Sequence, residues 1–156
     1  MKAVILMGSG SDMDYARKIA EKLGYFGIES VLRVASAHKT PEKALRILEE
    51  YENEDVVFVT VAGRSNALSG FADANTSKPV IASPPVSDKF AGMDLLSSVN
   101  MPSGVAPMLV IYAENAALAV AKIFSLKNEE VKKKVMEYQK AKKEEVYRAD
   151  ERAKSL

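Results

Sequence analysis

The chain has no cysteine, no tryptophan and only one histidine. Without cysteine there is no disulfide, no thiolate nucleophile and no cysteine metal site, a composition that suits a reducing cytosol and leads us to expect a cytoplasmic protein. An excess of charge of one sign is missing too, since 22 Lys and Arg against 21 Asp and Glu leave a formal net charge of +1. No global field draws such a chain to nucleic acid or to an acidic membrane, so neither is expected as a partner. Long apolar runs are also absent. The opening MKAVILMGSGSD has too short a run, and no small-residue cleavage site, for a signal peptide. No stretch approaches the roughly 20 apolar residues that a membrane span requires.

What remains, 156 residues with 47% hydrophobic and 28% charged side chains, matches a soluble globular protein, read as a single domain over residues 1–156. KAVILM is a continuous apolar run ending in GSGSD, the pattern of a strand buried on both faces that feeds a tight loop. A helix follows, with Ser11 or Asp12 as its cap, Ala16, Ile19, Ala20 and Leu23 at helical spacing, and Gly24 and Gly27 to stop it. IESVLRV reads as a second strand. Pro41 suits the first position of the next helix, with Thr40 as cap and Ala44, Leu45, Leu48 and Tyr51 as its apolar face. DVVFVTVA, PVIAS and MLVIY are three further strands, with a short helix after GRSN and another around Met93 to Val99. NAALAVAKIFSL and the charged segment from Asn128 onward close the chain as two helices. The apolar Val131, Val135, Tyr138 and Val146 of the last one need a partner surface, on this chain or on another subunit.

Strands alternating with helices imply right-handed βαβ units and a parallel sheet covered on both faces. The expected fold class is therefore α/β, a three-layer αβα sandwich with a flavodoxin-like parallel sheet and a long C-terminal helix. In such sheets ligands bind beyond the carboxyl ends of the strands. Three segments leave those ends: GSGSD, SAHKT and AGRSNALSG. In the first, Gly8 and Gly10 allow close backbone approach, and Ser9, Ser11 and the N–H groups of the next helix can meet phosphate oxygens. It lacks the lysine of a P-loop and the third glycine of the dinucleotide fingerprint, so a mononucleotide or sugar phosphate fits better than NAD. By pattern alone this loop reads equally as a ligand cup or as an ordinary tight turn. Asp12 is either a helix cap or an acceptor for sugar hydroxyls. His38, the only imidazole, sits between small Ser36 and Ala37 and cationic Lys39. Its side-chain type has an unperturbed pKa of about 6.5, suited to proton transfer near neutrality, although a loop histidine is more often merely solvated. Arg64, Ser65 and Asn66 of the third segment offer a fork of donors and an amide.

In this order and spacing, MGSGSD, SAHKTP, AGRSNALSG, MPSG and NAAL resemble the phosphoribosylaminoimidazole carboxylase family of purine biosynthesis over nearly the whole chain. One branch of that family is a mutase, with SAHRTP and a GGAAHLPG segment bearing a second histidine. The other carboxylates aminoimidazole ribonucleotide directly with carbon dioxide, using no ATP, biotin or metal. Lys39, GRSNALSG, the SPP at 83–85 and the lack of a second histidine resemble the direct carboxylase branch. The resemblance implies that Gly8, Ser9, Ser11 and Asp12 hold ribose and phosphate. It implies that Ser36 and Ala37 make room for the substrate while Lys39 meets the phosphate, and that His38 is catalytic. Gly63, Arg64, Ser65, Asn66, Ala67 and Leu68 match the loop that closes over the aminoimidazole and the incoming carboxylate. The resemblance further implies no cofactor, and a homo-octamer or a smaller symmetric assembly.

Overall fold

The computed structural model describes residues 1–87 and 89–155. Five strands, β1 (Lys2–Met7), β2 (Glu29–Val34), β3 (Val56–Val61), β4 (Val80–Ala82) and β5 (Met108–Leu109), form one parallel sheet in the order β2-β1-β3-β4-β5. Around it lie α1 (Met13–Phe26), α2 (Pro41–Glu50), α3 (Ala67–Ala74), α4 (Ala113–Ser125) and α5 (Glu129–Lys154). This is the expected three-layer arrangement, flavodoxin-like, with the long helix at the C-terminus.

Alternation along β1 divides the core. Ala3, Ile5 and Met7 point with Val57, Val59 and Val61 of β3 toward α1 and α4, while Val4, Leu6 and Phe58 point toward α2 and α3. All five apolar side chains of β1 are fully buried, as expected for a central parallel strand with helices on both faces. The register brings Met7 of β1 level with both Val34 of β2 and Val61 of β3. The three loops that follow these strands consequently leave the sheet from one rim.

Several boundaries differ from the sequence reading for identifiable reasons. α1 runs through Gly24 and stops only at Gly27, whose φ of 77° lets its N–H reach Gly24 O while Ile28 N–H reaches Leu23 O at 3.0 Å. The closure needs a left-handed residue, which Gly27 supplies and Gly24 does not. β5 is shorter than MLVIY. Val110 N–H still donates to Ala82 O at 2.9 Å, but Tyr112 at φ 70° swings the chain into α4. The segment expected to be helical around Met93 to Val99 is a ten-residue 3₁₀ helix, Lys89–Ser98.

α5 finds much of its partner surface within the chain. Val131 and Val135 are buried in the α1/α4 side of the core, and the Tyr138 ring packs edge-on against Phe26 and Tyr25 at 5.6 and 5.9 Å. Val146 remains exposed. Asn128 starts α5 by accepting the Val131 N–H at 2.9 Å. Among the described residues no helix is long and apolar enough to cross a membrane.

Candidate functional site

The loops after β1, β2 and β3 enclose a cavity of about 430 Å³. The first loop is tied to the third at its root. Gly8 N–H donates to Val61 O at 2.9 Å, and a methyl group on Gly8 would come within 3.1 Å of the Ala62 Cβ. The missing side chain is what allows the two loops to approach. Beyond it, Gly10–Asp12 form one 3₁₀ turn capped by Ser9, whose Oγ accepts from the Ser11 N–H at 3.3 Å and from the Ser11 hydroxyl at 3.0 Å. With both lone pairs engaged, the Ser9 hydroxyl keeps its own proton to donate.

Neither Ser11 nor Asp12 caps α1 through its side chain. Asp12 occupies the cap position without a side-chain hydrogen bond to the helix, so its carboxylate is left to the cavity. Partial burial pushes its pKa up, and a hydrogen bond from the Ser9 backbone opposes that only in part. A half-desolvated carboxylate with no cation beside it is poised to accept hydrogen bonds from a ligand's hydroxyl groups.

The second loop closes on itself. Ser36 N–H donates to Thr40 Oγ1 at 3.0 Å, Thr40 N–H returns to Ser36 O at 2.9 Å, and Lys39 N–H donates to Ser36 Oγ at 3.2 Å. Thr40 therefore spends its hydroxyl on the loop rather than on α2, which starts at Pro41 without a side-chain cap bond. The effect is a tight bracket with His38 and Lys39 exposed at its tip, both lining the cavity.

The third loop contains a strained residue, Arg64, at φ 60°. That region is uncommon for a side chain with a Cβ and persists only where the surroundings impose it. Here the surroundings are the 3₁₀ helix Lys89–Ser98. Asn66 N–H donates to Ser97 Oγ at 2.9 Å, and the Ser97 hydroxyl shares its proton between Asp94 O at 2.7 Å and Arg64 O at 3.1 Å. The Asn66 side chain is also occupied: its Nδ2 donates to Ser98 Oγ at 2.9 Å and its Oδ1 accepts the Ser69 N–H, capping α3.

Gly8, Ser9, Ser11 and Asp12 thus share the cavity with Ser36, Ala37, His38 and Lys39, and with Gly63, Arg64, Ser65 and Leu68. Asn66 and Ala67 lie outside its lining; Asn66 is buried and holds the loop instead. Ala62 lines it too and was not singled out from sequence. Ser97 and Ser98 were missed as well, because nothing in DLLSSVN signals which distant loop the serines will meet. The lining carries Lys39, Arg64 and His38 and a single carboxylate, Asp12. That balance suits an anionic ligand that also carries hydroxyl groups. Among the described residues no group of three or more His, Asp or Glu could hold a metal ion.

The family model described as AIR carboxylase matches residues 2–145. The chain is similar to a phosphoribosylaminoimidazole carboxylase of Archaeoglobus fulgidus, 73% identical over 97% of this chain and 84% of that protein. It is also similar to an N5-carboxyaminoimidazole ribonucleotide mutase of Methanocaldococcus jannaschii, 43% identical over 97% of each. The crystal structure of Treponema denticola PurE superposes with a TM-score of 0.94 at 48% identity, covering 97% of both chains. With the matched model spanning all five strands and the three loops of the cavity, the chain is an enzyme of the AIR carboxylase family, with that family's role in purine biosynthesis.

Proposed function

We propose that this enzyme joins carbon dioxide to carbon 4 of 5-aminoimidazole ribonucleotide, giving 4-carboxy-5-aminoimidazole ribonucleotide reversibly and without ATP. The observation that carries the reading is the shared cavity. A single imidazole stands at its rim with Lys39 and Arg64, and the third loop, GRSNALSG, brings no second histidine. The carboxylase name borne by the 73% identical relative supports the same choice.

The exocyclic amine makes the substrate's imidazole enamine-like. Carbon 4 attacks the carbon of carbon dioxide, a C–C bond forms, and one C=O electron pair becomes a carboxylate lone pair. Carbon 4 then bears both hydrogen and carboxylate. Unprotonated His38 takes that hydrogen as a proton, and the released C–H pair restores the aromatic ring. Ser9, Ser11 and Asp12 hold the ribose and phosphate, Lys39 and Ser36 the phosphate, and Arg64 with the Gly63–Ser65 backbone faces the new carboxylate. Leu68 supplies an apolar wall. Confinement of carbon dioxide beside the ring contributes a proximity effect that needs no cofactor.

The mutase reaction on the N5-carboxylated isomer is the second reading, supported by the 43% identical mutase-named relative. Purified protein is given aminoimidazole ribonucleotide and bicarbonate without ATP, and in parallel the N5-carboxylated isomer. Accumulation of the 4-carboxylated product in the first mixture at a rate matching or exceeding the second supports the carboxylase. Turnover confined to the isomer replaces it with the mutase.

The same reading includes self-association. Tyr112, Leu126 and Met108 expose large apolar surface near β5 and α4, a feature that fits contacts between copies in a symmetric homo-oligomer, up to an octamer. Light scattering that returns a monomer removes this part.

A further inference from the structure

We propose that Ser97 is a positioning residue for carboxylate handling: from the 3₁₀ helix Lys89–Ser98 it clamps the third loop in the strained shape that aims Arg64 and Ser65 at the carboxylate. The proposal rests on the function proposed above, in which this loop meets the carboxylate.

Four observations converge on Ser97. Its Oγ contacts the chain on both sides of Ser65, accepting from the Asn66 N–H at 2.9 Å and lying 3.1 Å from Arg64 O. Its proton is shared between Asp94 O, 2.7 Å away and three residues earlier in its own helix, and Arg64 O, which leaves a lone pair to receive the Asn66 N–H. The residue whose carbonyl it meets, Arg64, is the cavity residue held at φ 60°. Asn66, whose N–H it receives, is itself locked by Ser98 and Ser69 and cannot follow if the loop relaxes.

Ser97 is absent from the cavity lining, so any effect on the reaction must pass through the loop. Without its hydroxyl, Asn66 N–H and Arg64 O both lose their partner across the cleft. Asn66 stays held by Ser98 and Ser69, but no hydrogen bond then restrains the Arg64 carbonyl, and its return to a right-handed or extended conformation would turn the guanidinium and the following N–H away from the reacting carbon. Displacements near 1 Å in such a constellation typically cost about 100-fold in rate. Ser98 offers a contrast. It is 1% exposed and serves the buried Asn66 side chain, so its loss leaves an unpaired amide and acts on folding.

The test compares Ser97→Ala, Ser97→Thr, Ser97→Val and Ser98→Ala with the parent enzyme. Turnover, KM for aminoimidazole ribonucleotide, melting temperature, and calorimetric affinity for that nucleotide and for its 4-carboxylated product are measured. Ser97→Ala should lower kcat about 10- to 100-fold with little change in that KM. It should weaken the carboxylated nucleotide about tenfold more than the uncarboxylated one, and Ser97→Thr should recover most of both losses where the near-isosteric Ser97→Val does not. Ser98→Ala should chiefly lower the melting temperature.

The proposal is overturned if Ser97→Ala keeps kcat within twofold, if both nucleotides weaken equally, or if no form lacking the hydroxyl folds, which would make Ser97 purely structural. The parent's choice of substrate tests the proposed function separately. A parent that turns over only the N5-carboxylated isomer changes the reaction, while the ratio of variant to parent, and the affinity ratio for the two nucleotides, still tests the clamp.

Discussion

His38 and Asp12 both line the cavity, and the role proposed for each has a measurable consequence. His38→Asn keeps a polar side chain of similar reach but cannot take a proton. Turnover should fall by about 10²- to 10⁴-fold while aminoimidazole ribonucleotide still binds, and steady-state kinetics beside calorimetry checks both halves. Asp12→Asn should do the reverse, weakening nucleotide binding while raising the melting temperature of the unliganded protein. Burial lifts the Asp12 pKa above its ordinary 3.8. The folded state therefore holds more protons than the unfolded state across that interval, and stability declines as pH rises through it. Removing the charge should give its full gain at pH 7, with the gain shrinking as pH falls through the carboxylate range; thermal melts at pH 7 and pH 3.5 measure the difference. At this scale the sequence was informative about which residues meet, because small, hydroxylated and cationic side chains crowd three short loops. It was silent on how they are held. Thr40 reads as a helix cap yet bonds Ser36, and Asn66 reads as a ligand group yet serves Ser98 and Ser69, because a short polar side chain can satisfy a local turn as well as a helix end.

The elements most legible from sequence were those whose apolar pattern is unbroken. VVFVTV is buried at every position and was recognisable as a strand, its ends in the structure lying within one residue of the reading. Legibility failed where long-range hydrogen bonds or backbone conformation decide the ends. β5 is two residues long because Tyr112 takes a left-handed turn that no local signal announces. The helix read around Met93 to Val99 is the 3₁₀ helix Lys89–Ser98, since apolar spacing does not separate the two helix types at that length. Gly24 and Gly27 look alike in sequence, but only Gly27 has φ 77°. Gly27→Ala should therefore destabilise the protein by about 1–2 kcal/mol, seen as an earlier urea midpoint with unchanged slope. The Lys134 ammonium, 2.9 Å from the added methyl, sits on a flexible chain and can move aside, so backbone strain dominates. Gly24→Ala, inside the helix with open space around its Cβ, should instead stabilise by about 0.5–1 kcal/mol.

Across the whole molecule, stability and the site draw on different parts. α5 is anchored by Val131, Val135 and Tyr138, and its later turns are exposed, with pairs such as Lys142–Glu145 and Lys154–Asp150 confined to the helix itself. Exposed pairs of this kind are screened by solvent and add little to stability. Deleting residues 143–156 should leave the melting temperature of the monomeric fold within about 3 °C, whereas Tyr138→Ala should lower it more by removing the ring contacts to Tyr25 and Phe26. Light scattering on the truncated chain reads separately whether the exposed turns join copies together. The layered α/β class and the strand order's parallel character were foreseeable from alternation of strands and helices; the even rim was not, since register emerges only on pairing. That evenness, with Met7, Val34 and Val61 abreast, has an evolutionary corollary. Because successive side chains alternate between faces, one residue inserted within β1, β2 or β3 would exchange the two halves of the core and pull one wall of the pocket out of line. Length variation among descendants should accordingly accumulate at the opposite edge, in the turns near residues 27, 53 and 77, leaving the chemistry-bearing rim constant in length even where its residues drift.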